Sequence, residues 1–255
     1  MDKRDKNQRF FRRNFFSKNH RGQLTVFVIV AIAVIGISAL AFFMRNNLGI
    51  LNPESQNVNN FAQDCLQDAS NKIVYAAAYG GGYIMPPNLS DEMGFPYYYL
   101  DGKNYMPPKE NMENEMSSYF SGIASSCIRN FQDFSGMEIS AGEISTTPSI
   151  TDDKVTFNIN YPITIKQGES QTLLRDFKTE VPVRFGIVYA AVQEFMQEQT
   201  THEGICLNCA LDIALKNDLY VDMQNDGKNG TIFSFRDENS KINNETLEFV
   251  FINKY

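Results

Sequence analysis

At 255 residues the chain is long enough for one domain of ordinary size with accessories and for a buried core. Its net charge of −7 hides a split: residues 1–22 hold eight Lys/Arg against Asp2 and Asp5 (+6), whereas the remainder holds fifteen basic and twenty-eight acidic residues (−13). The basic block is short and ends at an apolar run, which argues against nucleic-acid binding. Only two histidines are present, His20 and His202, with no Gly-x-Ser-x-Gly and no His-Glu-x-x-His, which argues against the hydrolases built on those motifs.

From Leu24 to Met44 there are 21 residues without a charge, interrupted only by Thr25, Gly36 and Ser38. As a helix this run covers about 30 Å, the thickness of a hydrocarbon core. It is longer than the apolar region of a cleaved secretory signal, about 7–15 residues, and no small-x-small site follows it; Arg45, Asn46 and Asn47 close it instead. The expectation is a permanent anchor in a lipid bilayer, with the basic block in the cytoplasm and everything after Arg45 outside the cell. Small residues Ala31, Ala33, Gly36, Ser38 and Ala39 would permit close contact with other helices, either copies of this chain or other envelope proteins.

The junction Arg21-Gly22-Gln23, between a basic segment and an apolar helix, resembles the class III signal peptides of archaeal type IV pilin-like proteins. The resemblance implies cleavage between Gly22 and Gln23 by a membrane peptidase that leaves the apolar helix attached. Thr25 stands where that family prefers Ser, and Phe27 takes the place of its usual Glu, the carboxylate thought to neutralise a neighbouring terminal amine in an assembled bundle. Bacterial tight-adherence proteins begin similarly. A second likeness, through GGGYI and PYYYLDGK, is to uncharacterised membrane-anchored proteins of small-genome archaea and implies no known activity.

Beyond the span 23–47, Gly49 and Pro53 mark residues 48–56 as a linker, and 57–255 as the extracytoplasmic domain. Val58, Phe61, Cys65, Ala69, Ile73 and Ala76 or Ala77 recur at helical spacing up to Tyr79, where Gly80, Gly81 and Gly82 end the helix. A glycine triplet that follows a helix is in the wrong order for a phosphate loop. Residues 83–108 predict a hairpin turning at Asp101-Gly102. Its Phe95, Tyr97, Tyr98, Tyr99 and Tyr105 either form an adhesive platform for a glycan or protein, or cover the helices beneath.

A second helix is predicted over Asn111–Phe134, with Met112, Met116, Phe120, Ile123, Cys127 and Phe131 on one face. From Glu143 to Val183 alternation predicts three antiparallel strands, turning at Asp152-Asp153 and Gln167-Gly168, with Pro162 at an edge or bulge. Arg184–Gln199 returns to helical spacing. A short helix, Ala210 to Lys216, and three more strands follow, divided at Asp226–Gly230 and at Glu238-Asn239. The fold class is therefore α+β: an N-terminal transmembrane helix, then helices packed on one face of an antiparallel sheet.

Four cysteines in a segment placed outside the cell point to disulfides. The simplest pairing joins Cys65 to Cys127 and Cys206 to Cys209; the other two pairings remain open on sequence alone. Closing a loop of about 60 residues is worth roughly 4 kcal/mol in the chain-entropy picture. Cys206-x-x-Cys209 before a helix has three readings: a structural bridge, a thiol-exchange site activated by the helix N-terminus, or a zinc site with His202 that lacks a fourth ligand. Acidic pairs at Asp152-Asp153 and Asp237-Glu238 fall at predicted turns, where solvated charge is the default. Asn88, Asn229 and Asn244 head Asn-x-Ser/Thr triplets, as on a glycosylated surface. No cofactor or small-molecule substrate is indicated. The reading is a non-enzymatic anchored surface protein, and the alternative is an anchored thiol–disulfide oxidoreductase using Cys206 and Cys209.

Overall fold

The computed structural model describes residues 32–38 and 53–255. The basic block, the Gly22/Gln23 junction and most of the segment 23–47 lie outside them. Residues 32–38 are helical, and Ile32, Val34, Ile35 and Ile37 are exposed. Among the described residues no helix is long and apolar enough to cross a membrane. The chain divides into two units, 1–51 and 52–255; among the described residues, every strand belongs to the second.

Helix α1 runs Pro53–Tyr79, starting inside the segment expected as linker. The first helical position has no partner for an N–H, so proline is at no disadvantage there, and Glu54 complements the dipole in the first turn. The glycines end α1 as expected: Gly81 and Gly82 take φ of +55° and +83°, and Gly82 N–H donates to the Ala77 carbonyl at 2.6 Å. Strands β1 (Tyr97–Leu100) and β2 (Lys103–Asn104) turn through Asp101 and Gly102, both at positive φ. Helix α2 covers Lys109–Ile128, six residues short of the predicted end. Arg129 and Asn130 adopt left-handed angles there and lead into a 3₁₀ turn that buries Phe131 against Tyr161.

The β residues form two sheets, where one was expected. In the first, β5 (Val155–Gln167) is central. It pairs along one edge with β6 (Ser170–Val181), and along the other with β3 (Glu138–Ala141) and β4 (Ser145–Ile150) in turn. Pro162 sits where the β5–β6 register shifts, between Asn160 and Ile163, so the proline marks a bulge in a central strand. The second sheet has the order β2-β1-β9-β8-β7, with β7 Tyr220–Asn225, β8 Gly230–Ile242 and β9 Glu245–Lys254. Its β1–β9 pair is parallel and every other pair antiparallel. That parallel pairing joins residues about 150 positions apart, and no local pattern encodes it.

The predicted turn at Glu238-Asn239 is a correction. Strand β8 continues through these residues with a bulge between Asp237 and Lys241, and the chain reverses at Asn243-Asn244. Asparagine tolerates positive φ, and these two sit at +51° and +72°, as a tight hairpin requires.

Helix α3 (Phe185–Gln199) buries Phe195 among Phe233, Phe235 and Phe251, with ring centres 4.9 to 6.2 Å apart. Helix α1 packs on α2 and reaches both sheets through β6 and β9. Gln63 and Gln67 of α1 donate to the Lys178 and Glu180 carbonyls, covering the free edge of β6. Cys65 and Cys127 are bonded and tie α1 to α2.

Candidate functional site

The side chains with reactive chemistry meet between α3 and the short helix α4, Leu207–Lys216. Helix α3 carries apolar side chains at Val192 and Phe195, and the next position of that stripe is polar: Gln199, fully buried. Its Nε2 donates to the Gly204 carbonyl at 2.6 Å, and its Oε1 accepts from Cys206 N–H at 3.0 Å and from the Tyr255 hydroxyl at 3.1 Å. A buried amide left unpaired is costly. Satisfying this one folds the loop 200–205 back so that Cys206 lands at the N-cap of α4. Burial pushes the Tyr255 hydroxyl up to about 12 despite the bond from Asn253.

Cys206 and Cys209 are bonded to each other across the first turn of α4. Cys206 is 8% exposed, and Cys209 is the more open of the two. His202 leans on the pair, with Nε2 3.7 Å from Cys206 Sγ. Its other nitrogen, Nδ1, lies 3.0 Å from the Glu198 carbonyl at the end of α3. A carbonyl only accepts, so Nδ1 is the donor in that bond; the Thr201 hydroxyl also lies 3.0 Å from Nδ1, and Nε2 is the nitrogen turned toward sulfur. Ligand atoms of His202, Cys206 and Cys209 all lie within 4.8 Å of one another. That is one donor short of a closed zinc site, and sulfurs bonded to each other are not available as thiolates.

The far end of α4 is held by charge. Asp237, fully buried on the β8 bulge, receives Arg184 Nη2 at 2.5 Å and Nε at 3.0 Å, Asn239 N–H at 3.1 Å and the Ser240 hydroxyl. Arg184 also donates to the Asp218 carbonyl just past α4. Burial works against the Asp237 carboxylate, but the bonds from Arg184, Ser240 and Asn239 outweigh it and hold the group below its ordinary range. The acid pair Asp237-Glu238 thus contributes one structural anion, and Asp152-Asp153 is an exposed turn.

The aromatic platform is not assembled. Tyr98 is fully buried, stacks on Phe251 with centres 4.5 Å apart and donates its hydroxyl to the Gly81 carbonyl at 2.9 Å. Tyr99 is buried beside Tyr255, Tyr97 is half-buried, and Tyr105 alone of the four is exposed. Phe95, half-buried, borders a groove of about 450 Å³ together with Tyr79, Met93, Gln224 and Glu248. Asn88, Asn229 and Asn244 are all exposed.

Sequence reasoning reached both cysteine pairs and His202 but missed Gln199 and Arg184. A polar residue in register with an apolar stripe was the available signal for Gln199. No family model, curated protein or solved structure matches the chain.

Proposed function

We propose that the chain is a single-pass, pilin-like surface protein, anchored through residues 23–47 with its α+β domain on the outer side. There it packs against or binds other envelope components. The observation that carries this reading is the 21-residue uncharged run Leu24–Met44 between a +6 block and a −13 remainder. Two disulfides and three exposed Asn-x-Ser/Thr asparagines in the acidic part support an oxidising, exported setting. The helical, exposed apolar residues 32–38 suit a lipid environment. Protease added to intact cells should digest the acidic domain, and alkaline carbonate should leave the protein in the membrane fraction. A protected domain, or release by carbonate, overturns the reading. Intact mass of the extracted protein tests cleavage after Gly22 and glycan addition.

One observation favours a second reading, an anchored extracytoplasmic thiol–disulfide oxidoreductase: the imidazole of His202 against Cys206 Sγ at a helix N-terminus. A bridge that only closes a turn has no use for a base at its sulfur.

A further inference from the structure

We infer that Cys209 is the sulfur attacked by incoming thiol, that Cys206 is the departing thiolate, and that His202 takes up the attacking thiol's proton and pairs with that thiolate, in oxidation of a cysteine pair carried on an apolar peptide segment. This rests on the second reading above and assigns its roles.

Three independent features set the direction of exchange. The first is access, since Cys206 is 8% exposed and Cys209 is more open. The second is the leaving group. Thiol–disulfide exchange runs faster when the departing sulfur is the better-stabilised anion, and Cys206 occupies the N-cap, where the unsatisfied N–H groups and dipole of a ten-residue helix favour negative charge. The third is His202, whose Nε2 faces Cys206 Sγ at 3.7 Å while the Glu198 carbonyl and the Thr201 hydroxyl hold the ring at Nδ1. The backbone of Cys206 is itself held by Gln199, so the sulfur that departs stays beside His202.

The exchange balances in two steps. A substrate thiol attacks Cys209 Sγ as its proton is taken up at His202 Nε2. The Cys206–Cys209 bond breaks, and its electron pair leaves on Cys206 as a thiolate beside the new imidazolium. The substrate's second thiol then attacks the substrate sulfur bound to Cys209; that S–S bond breaks, Cys209 departs with its electron pair and takes the second thiol's proton, and His202 returns the first proton to Cys206. The substrate has given up two electrons and two protons and holds a disulfide; the protein holds both as the dithiol of Cys206 and Cys209.

The surroundings specify the substrate class. Ile205, Leu207 and Leu211 are 46%, 49% and 42% exposed around the pair, a rim that suits apolar peptide better than a small hydrophilic thiol.

The test uses the oxidised full-length protein in detergent. Glutathione is added, freed thiols are alkylated, and the modified cysteines are located by peptide mass spectrometry. Glutathione on Cys209 with the alkyl group on Cys206 is expected; glutathione on Cys206 overturns the role assignment while leaving the oxidoreductase reading intact. No exchange at either sulfur in the folded protein overturns both. In the reduced protein the pH midpoint for alkylating Cys206 should lie below the ordinary thiol value of about 8.5, and His202→Ala should move it up toward that value, slowing alkylation at pH 7 about tenfold. An unmoved midpoint removes His202 from the mechanism. A dithiol peptide flanked by leucines should be oxidised at least about fivefold faster than one flanked by glutamates, and equal rates overturn the apolar substrate class.

Discussion

The two disulfides of this domain make an instructive pair. Cys65–Cys127 joins positions 62 apart on two long helices, with Cys65 only 2% exposed. Cys206–Cys209 joins positions three apart within one helical turn, opens partly to solvent and carries a histidine at one sulfur. By loop-closure entropy the first bridge is worth roughly 4 kcal/mol and the second about 2. The first suits stabilisation, whereas the second contributes less to folding and has its chemistry exposed. Regions that look alike as cysteine counts therefore differ in kind.

The largest expected effect separates them directly. Cys65→Ala/Cys127→Ala should lose about 4 kcal/mol, lowering the thermal midpoint by roughly 10 °C as followed by circular dichroism. A loss under about 1 kcal/mol would mean that the packing of α1 on α2 holds without its staple.

Next comes the polar support of α4. Asp237→Asn removes a buried anion and leaves the Arg184 charge with only backbone carbonyls as partners, at a cost of about 3 kcal/mol. The sign with pH follows from the lowered carboxylate. Its contribution is full above the unfolded value of about 3.9 and is lost as pH falls through the lower folded value. The variant should thus be weaker at neutral pH and show a flatter loss of stability below about pH 4, which urea titrations across that range would measure. An acid limb as steep as the parent's would place the titrating group elsewhere.

How far these features could be read from sequence follows the range of the interactions involved. The stripe Met112, Met116, Phe120 and the alternation Val155, Phe157, Ile159 are local periodicities, and each forms the element it encodes. The ends were less legible. Arg129 and Asn130 break α2 by turning left-handed although their residue types also fit a helix, and Glu238-Asn239 looks like a turn while Asn243-Asn244 makes it. Nothing local distinguishes the two pairs, because the β8 bulge is held by Arg184, 53 positions away. Tyr97 to Tyr99 read equally as platform or core, and the decision came from β9, whose Phe249 and Phe251 enclose Tyr98. At the site, cysteine spacing gave the pair and composition gave His202, but the geometry that makes them a unit depends on Gln199.

That dependence gives a smaller effect with a local signature. Gln199→Met keeps the side chain's volume near constant but leaves Cys206 N–H and the Gly204 carbonyl without their partner and the Tyr255 hydroxyl with Asn253 alone. The expected cost is about 2 kcal/mol. Because the amide tethers the loop before α4 and the Tyr255 side chain beyond β9, hydrogen exchange should speed up at 200–206 and at 255 and stay unchanged at Cys65 and Cys127. Uniform acceleration across the domain would show that Gln199 acts on the whole core.

The smallest effect falls on the bridge most exposed to chemistry. Cys206→Ala/Cys209→Ala removes a closure worth no more than about 2 kcal/mol, and part of that constraint survives in Gln199 and in the helix itself, so the observed loss should be about 1 kcal/mol or less. The variant should keep Cys65–Cys127 oxidised and its circular dichroism unchanged, yet exchange no thiol with glutathione. Stability and reactivity would then be divided between the two bridges, one supplying each. A loss as large as that of the α1–α2 staple would contradict the division, because a three-position loop cannot restrict the unfolded chain that strongly, and Cys206–Cys209 would have to be holding native structure by contacts that closure entropy does not describe.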